Sequence, residues 1–84
     1  MPVHTDPTPN PNAMKFTVGQ PVGGPATYIA GSDADDPAAD ALLRLAGVVS
    51  VFMTADFVTV SKSSDSTWET LAPLCVEILA AHYD

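Results

Sequence analysis

Cys75 and His82 are the first residues to test for chemistry, because thiolate and imidazole groups are common zinc ligands. They stand seven residues apart near the end of the chain. On a helix that spacing separates them by roughly 10.5 Å along the axis, whereas the ligands of one zinc ion each lie about 2.0–2.3 Å from the metal. His4 has no partner nearby in the sequence. We therefore predict no metal site, with Cys75 as a small core residue and His82 interacting with a helix C-terminus.

Nucleophilic catalysis has two candidate sources, a cysteine and a serine cluster. Cys75 falls on the apolar stripe of a predicted helix, where the thiolate form is disfavoured. No histidine is close in sequence to the serines, which are Ser61, Ser63, Ser64 and Ser66. The sequence predicts a protein that is not an enzyme and that carries no cofactor.

Three aspartates, Asp33, Asp35 and Asp36, have a spacing that superficially resembles a calcium-binding EF-hand loop. Such a loop needs a glycine at its sixth position and a glutamate at its twelfth. Those positions are occupied by Ala38 and Arg44. We interpret the aspartates as a helix cap and solvated acids.

Two polar features remain as candidate surfaces. In the stretch TPNPNAMKF, Asn10 and Asn12 are expected to form Asx-turns, which would hold Lys15 in a defined direction beside a sheet. This stretch is either a structural turn into a strand or a partner-binding surface. Asp56 and Phe57 sit at the tip of a predicted hairpin, either as a turn residue followed by a core residue or as part of the same binding surface.

The N-terminal half must supply the elements that position these residues. Residues 1–13 are rich in proline and read as an extended leader, since residues before proline avoid the helical region. Met14, Phe16 and Val18 alternate with polar residues, which predicts a strand with those three side chains facing the core. A second strand is expected over 26–30. A helix is expected over 37–46, with Asp36 as its N-cap and Gly47 as its stop.

The C-terminal half shows a hairpin and a longer helix. Segments 48–54 and 57–62 are dense in β-branched and aromatic residues and are separated by two residues, which is typical of a tight hairpin. Ser66 and Glu69 match a capping box. Pro73 is expected to kink the final helix or to confine its first turn to a separate short piece. The apolar stripe of that helix consists of Trp68, Leu71, Cys75, Ile78 and Leu79.

These elements predict an α+β fold in the order β-β-α-β-β-α. We expect one domain over residues 1–84, a two-layer sandwich. Two helices would cover one face of a four-stranded, mostly antiparallel sheet.

Composition limits the class of partner. The chain has 84 residues, three basic and ten acidic, and a net charge of −7. Binding to nucleic acid or to anionic membranes depends on clustered Lys and Arg, so neither is expected. No apolar run approaches the roughly 18 residues of a membrane helix. The N-terminus lacks the pattern of a signal peptide, so we expect a cytoplasmic protein. We also expect a monomer rather than an oligomer.

Three segments carry a family resemblance. TPNPNAMKF, GVVSVFMTADFVTVSK and WETLAPLCVEIL occur in the order seen in the Nfu/NifU N-terminal domain family, which this sequence resembles over nearly its whole length. Pro73 also matches the family pattern. The resemblance implies an α/β two-layer fold and an association with iron–sulfur cluster assembly, and stand-alone versions similar to this domain exist in bacteria.

The same resemblance limits what is transferred. In longer members the domain precedes a module whose Cys-x-x-Cys pair carries a cluster to recipient proteins. Cluster ligation usually requires about four cysteines, and this chain has only Cys75. Cluster binding is therefore not carried over.

Three hypotheses follow. The first is a non-catalytic interaction module of cluster assembly or delivery that docks a carrier or recipient through Asn10, Asn12, Lys15, Asp56 and Phe57. The alternative is a peptide-binding or regulatory domain unrelated to iron–sulfur metabolism, using an exposed sheet edge. A dimer bridged by two copies of Cys75 around a cluster is disfavoured, because that cysteine lies on the apolar stripe.

Overall fold

The computed structural model describes residues 3–31 and 34–83 of the chain. Asp33 of the aspartate cluster therefore lies outside the described residues. The elements are β1 (His4–Pro7), β2 (Ala13–Thr17), β3 (Ala26–Ile29), α1 (Pro37–Leu43), β4 (Val48–Thr54), β5 (Phe57–Lys62) and α2 (Trp68–Tyr83). No helix in this part of the chain is long and apolar enough to span a membrane.

The predicted four-stranded sheet is wrong by one strand. In the described ranges five strands form one sheet in the order β1-β2-β5-β4-β3, and every neighbouring pair is antiparallel. The extra strand is His4–Pro7, within the predicted leader, which folds back onto β2. The element order is thus β-β-β-α-β-β-α, and the α+β class is confirmed.

The core lies between the helices and one face of the sheet. Phe16, Val51 and Val58 of the strands share one buried cluster with Leu42 of α1 and Leu79 of α2. Side chains at alternating strand positions point to opposite faces, so the other face of the sheet carries the remaining residues. We call this second face, which the helices do not cover, the outer face.

The first helix ends earlier than predicted. Asp36 caps it as expected, since its Oδ1 accepts hydrogen bonds from the N–H groups of Ala38 (2.9 Å) and Ala39 (3.2 Å). The Leu45 N–H bonds the carbonyl of Leu42, three residues back. The α-helical bonding pattern, which spans four residues, therefore gives way to a tighter turn after Leu43. Gly47 then turns the chain at φ +97°.

The hairpin has the predicted bounds, with Ala55 at φ 51° in its turn. A register shift between Val48 and Ser50 forms a bulge in β4. The bulge keeps Val48 in the core while Val49 is exposed.

The final helix begins at Trp68, so the predicted capping box is not formed. Thr67 is the residue whose carbonyl accepts the Leu71 N–H at 3.1 Å, and the Ser66 hydroxyl instead lies 3.0 Å from the Ser63 hydroxyl. Pro73 lies inside one continuous helix. The predicted stripe is confirmed: Leu71, Cys75 and Leu79 are buried, and Trp68 and Ile78 pack against the core.

Candidate functional site

The two asparagines of the TPNPNAMKF stretch form the turn between β1 and β2. Asn10 makes the expected Asx-turn, since its Oδ1 accepts the Asn12 N–H at 2.9 Å. Its carbonyl accepts the Ala13 N–H at 3.0 Å and the Thr8 hydroxyl at 2.9 Å. The turn therefore fixes the direction in which the chain enters β2.

Asn12 does not make the second Asx-turn but holds a lysine. Its Oδ1 accepts a hydrogen bond from Lys62 Nζ at 3.0 Å, and its carbonyl accepts the Lys62 N–H at 2.8 Å. Lys62 is only 9% exposed, and its ammonium also donates to the carbonyl of Ser63 at 3.3 Å. The amide of Asn12 thus satisfies a buried cation.

Trp68 ties the same turn to α2. Its Nε1–H donates to the carbonyl of Pro11 at 3.0 Å. The ring meets Phe16 edge to face, with centroids 6.3 Å apart, and Lys62 Nζ lies 5.9 Å from the Trp68 ring centroid. The turn, the end of β5 and the start of α2 are therefore joined, a set we call the turn clamp: Pro11, Asn12, Lys62 and Trp68.

Lys15 and Phe57 meet on the outer face. Lys15 Nζ lies 4.5 Å from the centroid of the Phe57 ring, within the range of a cation–π contact. Lys15 pairs with Thr59, and Phe57 pairs with Thr17 across the β2–β5 ladder. Phe57 is thus on the opposite face from the buried Val58, and the structure does not support the expectation that it is a core residue.

The outer face continues towards β3 with exposed apolar side chains. Phe52 pairs with Thr59 on one side and with Thr27 on the other. Phe52 is 37% exposed and Ile29 is 58% exposed. Sequence reasoning missed both residues. The alternation of Phe52 with the buried Val51 and Met53 was the available signal.

The structure does not gather all five predicted residues into one cluster. Asp56 lies in the hairpin turn, where its carbonyl accepts the Val18 N–H at 2.8 Å, beyond the end of β2. Asn10 and Asn12 lie beyond the other end, and the strand between them, Ala13–Thr17, is roughly 13 Å long at the usual rise per residue. Lys15 stands between the two ends.

Cys75 is fully buried. Its exposed fraction is 0%, and desolvation raises the pKa of its thiol to about 12. A thiolate ligand is therefore strongly disfavoured at this position. Within the described ranges, no three His, Cys, Asp or Glu side chains are grouped so that they could hold a metal ion.

A shallow groove of about 310 Å³ runs between α1 and α2, on the helix layer. Leu45, Leu74 and Ile78 supply its apolar lining, with Glu77 and His82 beside them. The groove therefore faces away from the outer face of the sheet.

Comparison with other proteins shows a family relationship. The family described as scaffold protein Nfu/NifU N terminal matches residues 3–84. The chain is 43% identical over 74 residues to the NifU-like protein 5, mitochondrial, of Arabidopsis thaliana, covering 84% of this chain and 27% of that protein. It is 40% identical over 75 residues to the human NFU1 iron-sulfur cluster scaffold homolog, mitochondrial, covering 84% of this chain and 30% of that protein. The chain thus spans less than a third of these curated relatives.

A solved structure shares the fold. The crystal structure of protein SAV1430 from Staphylococcus aureus matches with a TM-score of 0.78 at 31% identity. The match covers 93% of this chain and 98% of that chain.

Proposed function

Because this chain belongs to the Nfu/NifU N-terminal family, we propose that it is a non-catalytic interaction module of iron–sulfur cluster assembly or delivery. In this proposal it docks a carrier or a recipient protein and does not itself ligate the cluster. Relatives named as iron–sulfur cluster scaffolds support the association. A cytoplasmic location and a monomeric state stay predictions of the sequence.

The environment of Cys75 is the observation that carries the non-ligating role. This is the one cysteine of the sequence. Its side chain is buried in the core, and burial raises its pKa to about 12. Ligation of iron needs a deprotonated thiol, and a bridged dimer would have to expose Cys75 by opening the core. Cluster binding would therefore compete directly with folding.

The outer face supports the docking role. Lys15 offers a cation held over Phe57, and Phe52 and Ile29 extend the same face with exposed apolar surface. Interfaces often combine an aromatic anchor with a positioned charge. Asn10 and Asn12 would contribute indirectly, since their contacts fix the turn that leads into the strand of Lys15. We propose Lys15 and Phe57 as the centre of the docking surface.

Chemical-shift mapping tests this proposal. The ¹⁵N-labelled chain would be titrated anaerobically with a purified carrier module that holds an iron–sulfur cluster on a Cys-x-x-Cys pair. We expect shift changes centred on Lys15, Phe57 and Phe52, with the visible absorbance of the cluster remaining on the carrier. Changes confined to the groove between α1 and α2 would contradict the docking surface. Transfer of the absorbance to this chain would contradict the non-ligating role.

A further inference from the structure

The two edges of the sheet expose different backbone groups, and the ladder bonds show which. Lys62 N–H bonds the carbonyl of Asn12, and Val18 N–H bonds the carbonyl of Asp56. Asn12 and Val18 lie just beyond the two ends of β2, so every second residue between them also bonds to β5. The backbone groups of Lys15 therefore point the other way, to Asp6 of β1. Within β1, the residues whose backbone groups point away from the sheet are then Thr5 and Pro7.

The β1 edge is poorly suited to accept another strand. Pro7 has no N–H, and its backbone groups point away from β2, so this proline removes no hydrogen bond between β1 and β2. A strand added at this edge would find no donor at Pro7. Asp6 and His4 add polar and charged side chains to the same short strand. Proline and charged residues commonly protect sheet edges from pairing with another strand, so we do not expect β1 to accept one.

The β3 edge has neither protection. Ala30 N–H bonds the carbonyl of Val49 at 2.9 Å, and by alternation Tyr28 bonds across to Val51. The N–H and C=O groups of Thr27 and Ile29 therefore point outward. The strand Ala26–Ile29 has no charged residue and no proline. In the described part of the chain, no further strand pairs with its outer side.

We propose that β3 accepts an extended segment of the docking partner as a sixth strand of the sheet. This inference rests on the proposed function and specifies how the partner binds. Only another extended backbone matches the outward donors and acceptors of Thr27 and Ile29 in register. A residue opposite Ile29 in such a strand lies on the outer face, beside the exposed side chain of Ile29, so an apolar side chain is expected there.

The net charge of this chain indicates which charged side chains the partner segment carries. The chain carries a net charge of −7, while β3 itself is neutral. Long-range attraction therefore favours a segment that carries Lys or Arg beside its apolar residue.

A second copy of this chain is a poorer occupant. Pairing two β3 strands would bring together two chains that each carry a net charge of −7. Like net charges repel one another, which disfavours this pairing.

Matched proline variants test the proposal. Thr27→Pro removes an outward N–H from the β3 edge, and Thr5→Pro removes an outward N–H from the β1 edge, so the same substitution is made at both edges. The affinity of each variant of the 84-residue chain would be measured for the cluster-loaded Cys-x-x-Cys carrier module. Ile29→Lys is a second β3 variant that places a charge on the edge without touching the backbone. Nitrogen–proton spectra would establish that each variant is folded.

We expect Thr27→Pro and Ile29→Lys to weaken binding roughly tenfold or more, as the loss of a good hydrogen bond or apolar contact would. Thr5→Pro should stay within about twofold of the wild type, and the Thr27 and Ile29 amides should gain exchange protection in the complex. A folded Thr27→Pro variant that binds as tightly as Thr5→Pro would overturn strand addition and leave the proposed function standing. If the wild-type chain fails to bind the carrier, the proposed function falls and this inference falls with it.

Discussion

Lys62 Nζ lies 3.0 Å from Asn12 Oδ1, which joins residues fifty positions apart. Lys62 ends the core-facing row of β5 that contains Val58 and Val60, and it is almost completely buried. Its partner comes from the turn between β1 and β2. A buried cation must be hydrogen-bonded to be tolerated. By supplying Asn12 as an acceptor, the asparagine-rich turn allows a lysine to occupy the last core-facing position of β5.

Asn12→Ala should destabilise the fold by roughly 1.5–3 kcal/mol, because it removes a hydrogen-bond acceptor from a buried charged group. Urea unfolding followed by circular dichroism measures the free energy of unfolding. Asn12→Asp is the matched control, since it keeps an oxygen acceptor and should retain most of the stability. Equal stability of Asn12→Ala and the wild type would contradict this role of the turn.

Trp68→Phe tests the other half of the turn clamp. The change keeps an aromatic ring beside Phe16 but removes the Nε1–H that donates to the Pro11 carbonyl. We expect a loss of roughly 1 kcal/mol in the free energy of unfolding. Hydrogen exchange of the Ala13 amide, which is bonded within the turn, should become faster. Unchanged exchange at Ala13 would show that the indole bond does not hold the turn.

The sequence predicted best the elements that depend on neighbouring residues. The hairpin of β4 and β5 has the predicted bounds because β-branched density and a two-residue turn are local signals. The strand His4–Pro7 was missed because its four residues, HTDP, have little strand propensity and are held by pairing with β2. Pairing between distant segments of this kind cannot be predicted from the composition of one short segment.

The candidate site shows the same division. Lys15 and Phe57 were each selected from the sequence, but their contact depends on the register of β2 against β5, which no local pattern supplies. The alternation of Val58, Val60 and Lys62 could have placed the lysine on the core side. Its partner Asn12 could not have been identified without the fold.

Gly47→Ala should destabilise the fold more than Gly23→Ala. Both glycines have positive φ values, +97° and +81°, so alanine costs roughly 1–2 kcal/mol at either position. A Cβ at Gly47 would also overlap the Ser66 side chain, whereas a Cβ at Gly23 meets nothing within 4 Å. The difference between the two free energies of unfolding isolates the steric part. Equal losses would show that the Ser66 loop moves aside freely.

Cys75 predicts a specific alkaline instability. The pKa of its thiol is raised from the ordinary 9.0 to about 12 in the folded chain by burial. Between those values the unfolded chain loses this proton and the folded chain keeps it, so the folded state loses stability as the pH rises. The expected slope is roughly 1.4 kcal/mol per pH unit at most. It is measured by urea unfolding between pH 8 and 11.

Cys75→Ala is the control for that slope. The variant should lose stability at neutral pH through its cavity, yet its free energy of unfolding should fall less steeply above pH 9 than that of the wild type. Parallel pH profiles for the two proteins would contradict the burial of a neutral thiol. They would also remove the main argument against cluster ligation by Cys75.

The affinity of charge-reversal variants for a cluster-loaded Cys-x-x-Cys carrier tests the central claim most directly. Lys15→Glu reverses the cation over Phe57, and Arg44→Glu makes the same change in net charge on the helix layer, where Arg44 pairs with Asp40. We predict that Lys15→Glu weakens binding roughly tenfold, about 1.4 kcal/mol, while Arg44→Glu and Lys15→Arg stay within about threefold of the wild type. Equal weakening by Lys15→Glu and Arg44→Glu would contradict a docking surface centred on Lys15 and Phe57.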